Sequence, residues 1–213
     1  YRGVETEMSM TVQLVNISKR YGPKELFKGI AASVGPGECL AITGQNGSGK
    51  STLLKIVAGV VRPTTGKVEI RKNEQPLDPE ERITSIGMIS PEIFLYNNLT
   101  GYENIRFLTG ARGIKTTAAD ARNYCEAVGL GSCGAKLVGT YSTGMKQRLK
   151  FTLLMAANAT LWLLDEPSTN LDANGKALFI ELIQNALDKK HIVMIASNES
   201  LEVQHAAKTI SLG

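Results

Sequence analysis

The sequence predicts an α/β fold: a mostly parallel sheet with helices on both faces, an antiparallel β-subdomain at the N-terminal end and an inserted helical subdomain. Three observations carry that prediction. Leu161-Trp162-Leu163-Leu164 and Ile192-Val193-Met194-Ile195-Ala196 are wholly apolar, as strands covered on both faces should be. Helical stripes alternate with such runs; Leu178, Phe179, Leu182, Ile183 and Leu187 share one face of a helix over Ala173 to Leu187. A glycine-rich turn, Gly44 to Thr52, joins the apolar run Leu40-Ala41-Ile42-Thr43 to the helical start Leu53-Leu54-Lys55-Ile56-Val57.

In chain order, Thr11 to Ile17 alternates apolar and polar residues as a half-buried strand, and Lys19-Arg20-Tyr21-Gly22-Pro23 breaks it. A second strand follows near Leu26 to Val34, and Gly35-Pro36-Gly37-Glu38 turns into the strand before the glycine-rich loop. Connections this short make the opening strands antiparallel. Beyond the first helix, Arg62 to Gly66 is a turn and Lys67-Val68-Glu69-Ile70 a short strand. The polar stretch Arg71 to Arg82, with two prolines, reads as a loop, and Ile83 to Ile89 as a return to the sheet. From about residue 90 to 159 the texture is helical, with Tyr102 to Leu108 and Thr116 to Val128 at helical spacing. A helix over Met145 to Ala156 places Met145, Leu149, Leu153 and Ala156 on one face. Leu201 to Ala207 reads as a short helix and Thr209 to Leu212 as a final edge strand. The whole of 11–213 is taken as one domain, preceded by an extension or upstream remnant over 1–10, with Met8 or Met10 as candidate starts.

Bulk properties narrow the function. A chain of 213 residues can bury a full core. The net charge of +4 comes from scattered basic residues, so no nucleic-acid partner is expected. No run approaches the roughly 18 apolar residues of a spanning helix, so any membrane work needs spans from another chain. The opening residues lack the basic start and apolar core of a signal peptide. Three cysteines, Cys39, Cys125 and Cys133, with no Cys-x-x-Cys pair, argue against a disulfide framework and a structural zinc site and fit a reducing compartment.

The loop Gly44-Gln45-Asn46-Gly47-Ser48-Gly49-Lys50-Ser51-Thr52 satisfies the P-loop pattern in its required strand-to-helix setting, which specifies a P-loop NTPase core. Glycines at 44, 47 and 49 let successive amides turn inward on a phosphate chain. The helix beginning near Lys50 adds its positive dipole end, Lys50 a point charge for the β/γ-phosphates, and Ser51 a hydroxyl for Mg²⁺. Asp165-Glu166 ends an apolar strand, where two adjacent acids lose solvation and call for a cation. Asp165 can share Mg²⁺ with Ser51, while Glu166 can orient or deprotonate an attacking water. Tyr141-Ser142-Thr143-Gly144-Met145 opens a helix, with Ser142 as cap and Gly144 leaving the backbone open to an anion. By itself that is a capped helix; its place, 23 residues before Asp165, makes it more.

Taken together with Leu163-Leu164-Asp165-Glu166-Pro167-Ser168 and Asn170-Leu171-Asp172, these segments resemble the nucleotide-binding domain of ABC transporters, from about Val12 to Leu212. The resemblance implies the ABC ATPase fold, ATP and Mg²⁺ as ligands, and head-to-tail dimerisation with a second ATP-binding subunit, identical or not. Ser142 and Gly144 of one subunit would then close over the phosphate held by the other, with Asn170 and Asp172 communicating across the interface. It also assigns Tyr21 to stacking on adenine. A separate integral membrane subunit would dock its coupling helices near Glu92 to Leu108, placing the chain at the cytoplasmic face of a membrane.

Three departures from the family pattern stand out. Where a glutamine is usual, the chain has Ile89-Ser90-Pro91-Glu92, so Glu92 or Ser90 would have to substitute. The usual switch histidine is replaced by Asn198, which can donate a hydrogen bond but brings no charge; His205 stands too far along to replace it. The signature reads Ser-Thr-Gly rather than Ser-Gly-Gly. With Glu166 present, these changes imply weakened or more partner-dependent hydrolysis. The small haem-exporter-type ATPases are the subgroup these variants resemble. The expected function is therefore an ATPase subunit of a transporter, with Glu166, Asn198 and Glu92 as catalytic candidates. The alternative is a soluble ABC-type ATPase in cluster assembly or another non-transport process. A GTPase switch is disfavoured because no Asn-Lys-x-Asp motif is present.

Overall fold

The structure, a computed structural model, describes residues 9–213. The expected N-terminal extension lies for the most part outside them, and Met10 is already the first residue of a strand.

Strands β1 (Met10–Tyr21) and β2 (Lys24–Val34) form an antiparallel hairpin whose last pair is Tyr21 with Lys24. Strand β3 (Cys39–Gly44) leaves for a second sheet and runs into helix α1 (Lys50–Val57). Strands β4 (Thr65–Lys72) and β5 (Gln75–Pro76) return to the first sheet, which is antiparallel in the order β2-β1-β4-β5.

Helix α2 (Pro79–Ser85) follows, and β6 (Ile86–Ile89) enters the second sheet. The region read as a loop therefore holds the end of β4, an edge strand and a helix, and the strand expected from Ile83 starts only at Ile86. The cause is local. The Asp78 side chain accepts from the Glu81 amide at 2.7 Å, and Pro79 takes the first helical position, where no amide is needed.

Helices α3 (Gly101–Gly110) and α4 (Ala118–Ala127) each start at a capping box, Thr100 with Glu103 and Thr117 with Asp120. Helix α5 (Thr143–Ala157) packs against both and against β6. Its burial is not confined to the expected face: Leu149, Lys150, Phe151, Thr152, Leu154 and Ala156 are all buried, because neighbours surround it. Strand β7 (Leu161–Asp165), helix α6 (Ala173–Asp188), strand β8 (Ile192–Ala196), helix α7 (Ser200–Gln204) and strand β9 (Lys208–Leu212) complete the chain.

The second sheet is parallel throughout, in the order β6-β7-β8-β3-β9. Period-two alternation divides its side chains between two cores. Leu161, Leu163, Ile192 and Met194 join Leu53, Leu54 and Val57 of α1 on one face. Trp162, Leu164, Val193 and Ile195 join Leu149 and Phe151 of α5 and Phe179 and Ile183 of α6 on the other. The carboxyl ends of β3 and β7 are thereby brought side by side across β8, with α1 starting between them, which is where α/β sheets bind ligands. Among the described residues no helix is long and apolar enough to cross a membrane.

Candidate active site

The P-loop is held open by glycine geometry at its two ends. Gly44 closes β3 with φ +140°, and a Cβ there would stand 2.1 Å from the Leu212 carbonyl oxygen of β9. Gly49 precedes α1 with φ +105°, and a Cβ there would meet Leu26 of the hairpin at 2.7 Å. That second contact shows how the hairpin bearing Tyr21 leans on the loop. Tyr21 itself is 53% exposed, with the Lys19 ammonium 4.7 Å from its ring centre, which leaves a ring face free for a planar ligand. Gln45, Asn46 and Gly47 face solvent at the tip of the loop, while Ser48 and Thr52 are partly covered. The Ser48 hydroxyl is buried without a partner.

Lys50 is 6% exposed, and its ammonium donates to the carbonyls of Gly44 at 2.7 Å and Gln45 at 3.4 Å. Beside it, Ser51 Oγ donates to Asp165 Oδ1 at 3.0 Å, so the two expected metal ligands are already adjacent. Burial pushes the Asp165 carboxyl above its ordinary range, against the pull of Ser51 and of Lys55. A buried carboxyl whose side-chain hydrogen bond among the described residues comes from a hydroxyl, an orphaned Ser48 hydroxyl and a cradle that Cβ atoms would fill together fit a magnesium-bound phosphate chain.

Glu166 continues from β7 into a left-handed residue, φ +48°, with its amide donating to the Ala196 carbonyl at 2.9 Å. Burial raises its carboxyl too, opposed by Lys50 and reinforced by Glu202, Asp165 and Glu199. A carboxyl shifted in that direction is a better proton acceptor near neutral pH. Asp165 and Glu166 line a cleft of about 650 Å³ together with Asn46, Asn170, Thr143 and Lys150.

Ser142 caps α5 by accepting from the Met145 amide at 3.2 Å and is exposed. Gly144 lies against the turn after Glu166; a Cβ there would be 3.0 Å from the Asn170 carbonyl oxygen. Among the described residues neither Ser142 nor Gly144 hydrogen-bonds to the P-loop of its own chain. Asp172 caps α6 through the Gly175 amide and pairs with Arg148 of α5 at 2.7 Å.

Asn198 meets the P-loop directly, although 154 residues separate it from Gly44. Its Oδ1 accepts from the Gly44 amide at 3.1 Å and its Nδ2 donates to the Gly44 carbonyl at 2.9 Å. One Nδ2 hydrogen is left for a phosphate oxygen. Two hydrogen bonds of ordinary strength, each worth about 1 kcal/mol, hold the loop's first residue, so Asn198→Ala is expected to weaken ATP binding by about fivefold to thirtyfold. Titration with a fluorescent ATP analogue measures this, and unchanged affinity would make the clasp idle.

Glu92 pairs with α1 and lies near enough to Asp165 to add to the upward push on that carboxyl. Its side chain, 72% exposed, pairs with Lys55 of α1 at 2.7 Å, whereas the neighbouring Pro91 faces the cleft. Ser90 is buried and its carbonyl accepts from Lys150 at 3.0 Å. Lys150, 8% exposed, thus ties α5 to the segment where a glutamine is usual. That link escaped sequence reasoning, although a lone lysine between Leu149 and Phe151 is its signal. Gln147, which donates to the Pro167 carbonyl at 2.7 Å, and Glu202, which accepts from the Ser168 amide, carried no local signal.

Comparison with known proteins agrees with this geometry. Residues 27–169 match the ABC transporter family. The cytochrome c biogenesis ATP-binding export protein CcmA of Rhizobium johnstonii is 34% identical over 201 residues, covering 93% of this chain and 92% of the relative. The lantibiotic transport ATP-binding protein SrtF of Streptococcus pyogenes is 32% identical over 200 residues, covering 93% and 85%. In fold, the chain superposes on a dimeric ATP-binding cassette in a post-hydrolysis state bound to ADP and Pi, with TM-score 0.78, 22% identity and 94% of each chain covered. A P-loop whose serine touches the strand-end aspartate, a following glutamate in the same cleft, and these matches place the chain in the ABC transporter family, as one of its ATP-binding ATPases.

Proposed function

We propose that this chain is the energy-coupling subunit of a membrane transporter, working at the cytoplasmic face as a head-to-tail dimer of ATP-binding subunits beside a separate integral membrane subunit. The observation that carries the coupling is an apolar groove of about 870 Å³ between α1, α2, β6 and α3, lined by Val60, Ile83, Met88, Ile93 and Leu108 with Arg82 and Arg112 at its walls. Val60 and Ile83 are 73% and 67% exposed. Beside the groove Phe94, Tyr96 and Phe107 stack edge to face, with Phe94 and Phe107 largely open to solvent. Apolar surface of that extent suits an amphipathic helix of a partner. The family and the names of the relatives support the same reading.

Within the site, the loop amides that follow Gly44, up to Lys50, cradle the phosphates, and the Lys50 ammonium exchanges its carbonyl partners for phosphate oxygens. Tyr21 stacks on the adenine. Ser51 and Asp165 would hold Mg²⁺, which neutralises charge on the β- and γ-phosphates when bound. Among the described residues no cluster of three acids, histidines or cysteines stands there, so phosphate oxygens and water would complete the metal's coordination. Glu166 accepts the proton of a water whose oxygen attacks the γ-phosphorus; the bond to the β-phosphate oxygen breaks, giving ADP and inorganic phosphate. Ser142 and Gly144, unused by their own P-loop, cover the phosphate of the opposite subunit and so make hydrolysis depend on the dimer.

The experiment is co-purification of the tagged chain from solubilised membranes. An integral membrane protein should be retained, and Ile83→Glu together with Phe107→Glu should release it without reducing ATP affinity. Recovery with soluble partners alone, unaffected by those substitutions, would favour the non-transport ATPase instead.

A further inference from the structure

Glu202 of α7 is 2% exposed, and among the described residues it forms no ion pair. Its Oε1 accepts from the Ser168 amide at 3.1 Å; its Oε2 is buried without a partner. A carboxyl group in such a place is unfavourable unless what it holds matters. What it holds is the turn that follows Glu166. The turn has its own short-range bonds, from Thr169 to the Glu166 carbonyl and from Leu171 to the Ser168 carbonyl, but these close it only upon itself. Its outward amides, those of Glu166 and Ser168, are taken by Ala196 at the end of β8 and by Glu202 in α7.

The same stretch, residues 196–202, also grips the P-loop strand. The Ser197 amide donates to the Ile42 carbonyl at 3.1 Å, and Asn198 clasps Gly44. One short segment therefore spans from the first residue of the phosphate cradle to the turn bearing the proposed base. Glu166 sits at φ +48°, a region that a non-glycine residue keeps only when its surroundings over-determine it.

We infer that Glu202 is a positioning residue for hydrolysis: by holding the Ser168 amide it sets the Glu166–Asn170 turn at a fixed offset from the P-loop, and with it both the Glu166 carboxylate and the Asn170 carbonyl that abuts Gly144. This inference rests on the reading of Glu166 as the group that activates water.

The test separates an acceptor oxygen from mere packing. Glu202→Met fills the same space without an acceptor; Glu202→Gln keeps the acceptor and drops the charge. For Glu202→Met, kcat should fall by about tenfold or more while KM for ATP stays within about twofold; Glu202→Gln should recover most of the wild-type kcat. If the Met variant does not fold, judged by melting and by binding of a fluorescent ATP analogue, Glu202→Asp takes its place, since it falls one methylene short of Ser168. Wild-type kcat in the acceptor-less variant, equal losses in both variants, or a rise in KM matching the fall in kcat would overturn the proposal. Glu166→Gln is run in parallel: its loss of turnover beside an unaffected Glu202 series overturns this inference alone, whereas full turnover in Glu166→Gln refutes the base assignment beneath it.

Discussion

Replacing Glu166 by glutamine is expected to leave ATP binding intact and to lower turnover by about 10²-fold or more, the usual contribution of a positioned general base. The phosphate cradle is made by the Gly44–Lys50 loop, Ser51 and Asp165, none of which uses the Glu166 side chain for a hydrogen bond. Gln retains the size of the side chain and its left-handed backbone, which is fixed by the amide bond to Ala196. What disappears is the capacity to take a proton. Dimers closed around ATP should then persist, because hydrolysis is what would reopen them. Phosphate release measures the first effect and light scattering with ATP and Mg²⁺ the second. A variant that hydrolyses normally, or that stays monomeric with nucleotide, would remove Glu166 from the mechanism or the dimer from the cycle.

Lys50→Met is expected to weaken ATP binding by on the order of 10²-fold, because a buried charge that would face a polyanion is lost. The lysine is buried and its partners are two carbonyls, so the thermal stability of the nucleotide-free chain should change by only about 1 kcal/mol. Its ammonium also moderates both acids, drawing Asp165 and Glu166 back toward ionisation. With no ammonium to meet the charge that develops on the transferring phosphoryl group, whatever nucleotide still binds should be hydrolysed more slowly than the affinity loss alone predicts. Titration with a fluorescent ATP analogue decides the first point; affinity within twofold of wild type would mean that the loop amides suffice.

Most of the site was legible because its parts are contiguous. The P-loop announces itself by glycines, a lysine and a serine between a strand and a helix; Ser142 is legible as a helix cap; Asp165-Glu166 stands out as charge at the end of an apolar run. The helix over Pro79–Ser85 was also written locally, in Asp78-Pro79 followed by two glutamates, but the prolines outweighed that cap in a reading by polarity. Helix α5 went differently. Periodicity assigns one buried face, yet α3, α4 and β6 enclose it, and a helix buried on several sides has no stripe to detect.

The sequence by itself determined the order of strands and helices apart from the edge strand and helix between residues 75 and 85, together with the phosphate-binding loop, the acidic strand end and the capped helix that carries Ser142, since each is specified by residues within a turn or two of one another. Only the tertiary structure decided that Asn198 clasps Gly44, that Glu92 turns to Lys55 while Lys150 takes the Ser90 carbonyl, and that Glu202 reaches Ser168. Those partners lie 154, 37, 60 and 34 residues apart. They meet because β3, β8, β7 and β6 pack side by side, and which side chains become neighbours across such a sheet is set by strand order and register, which no local pattern encodes.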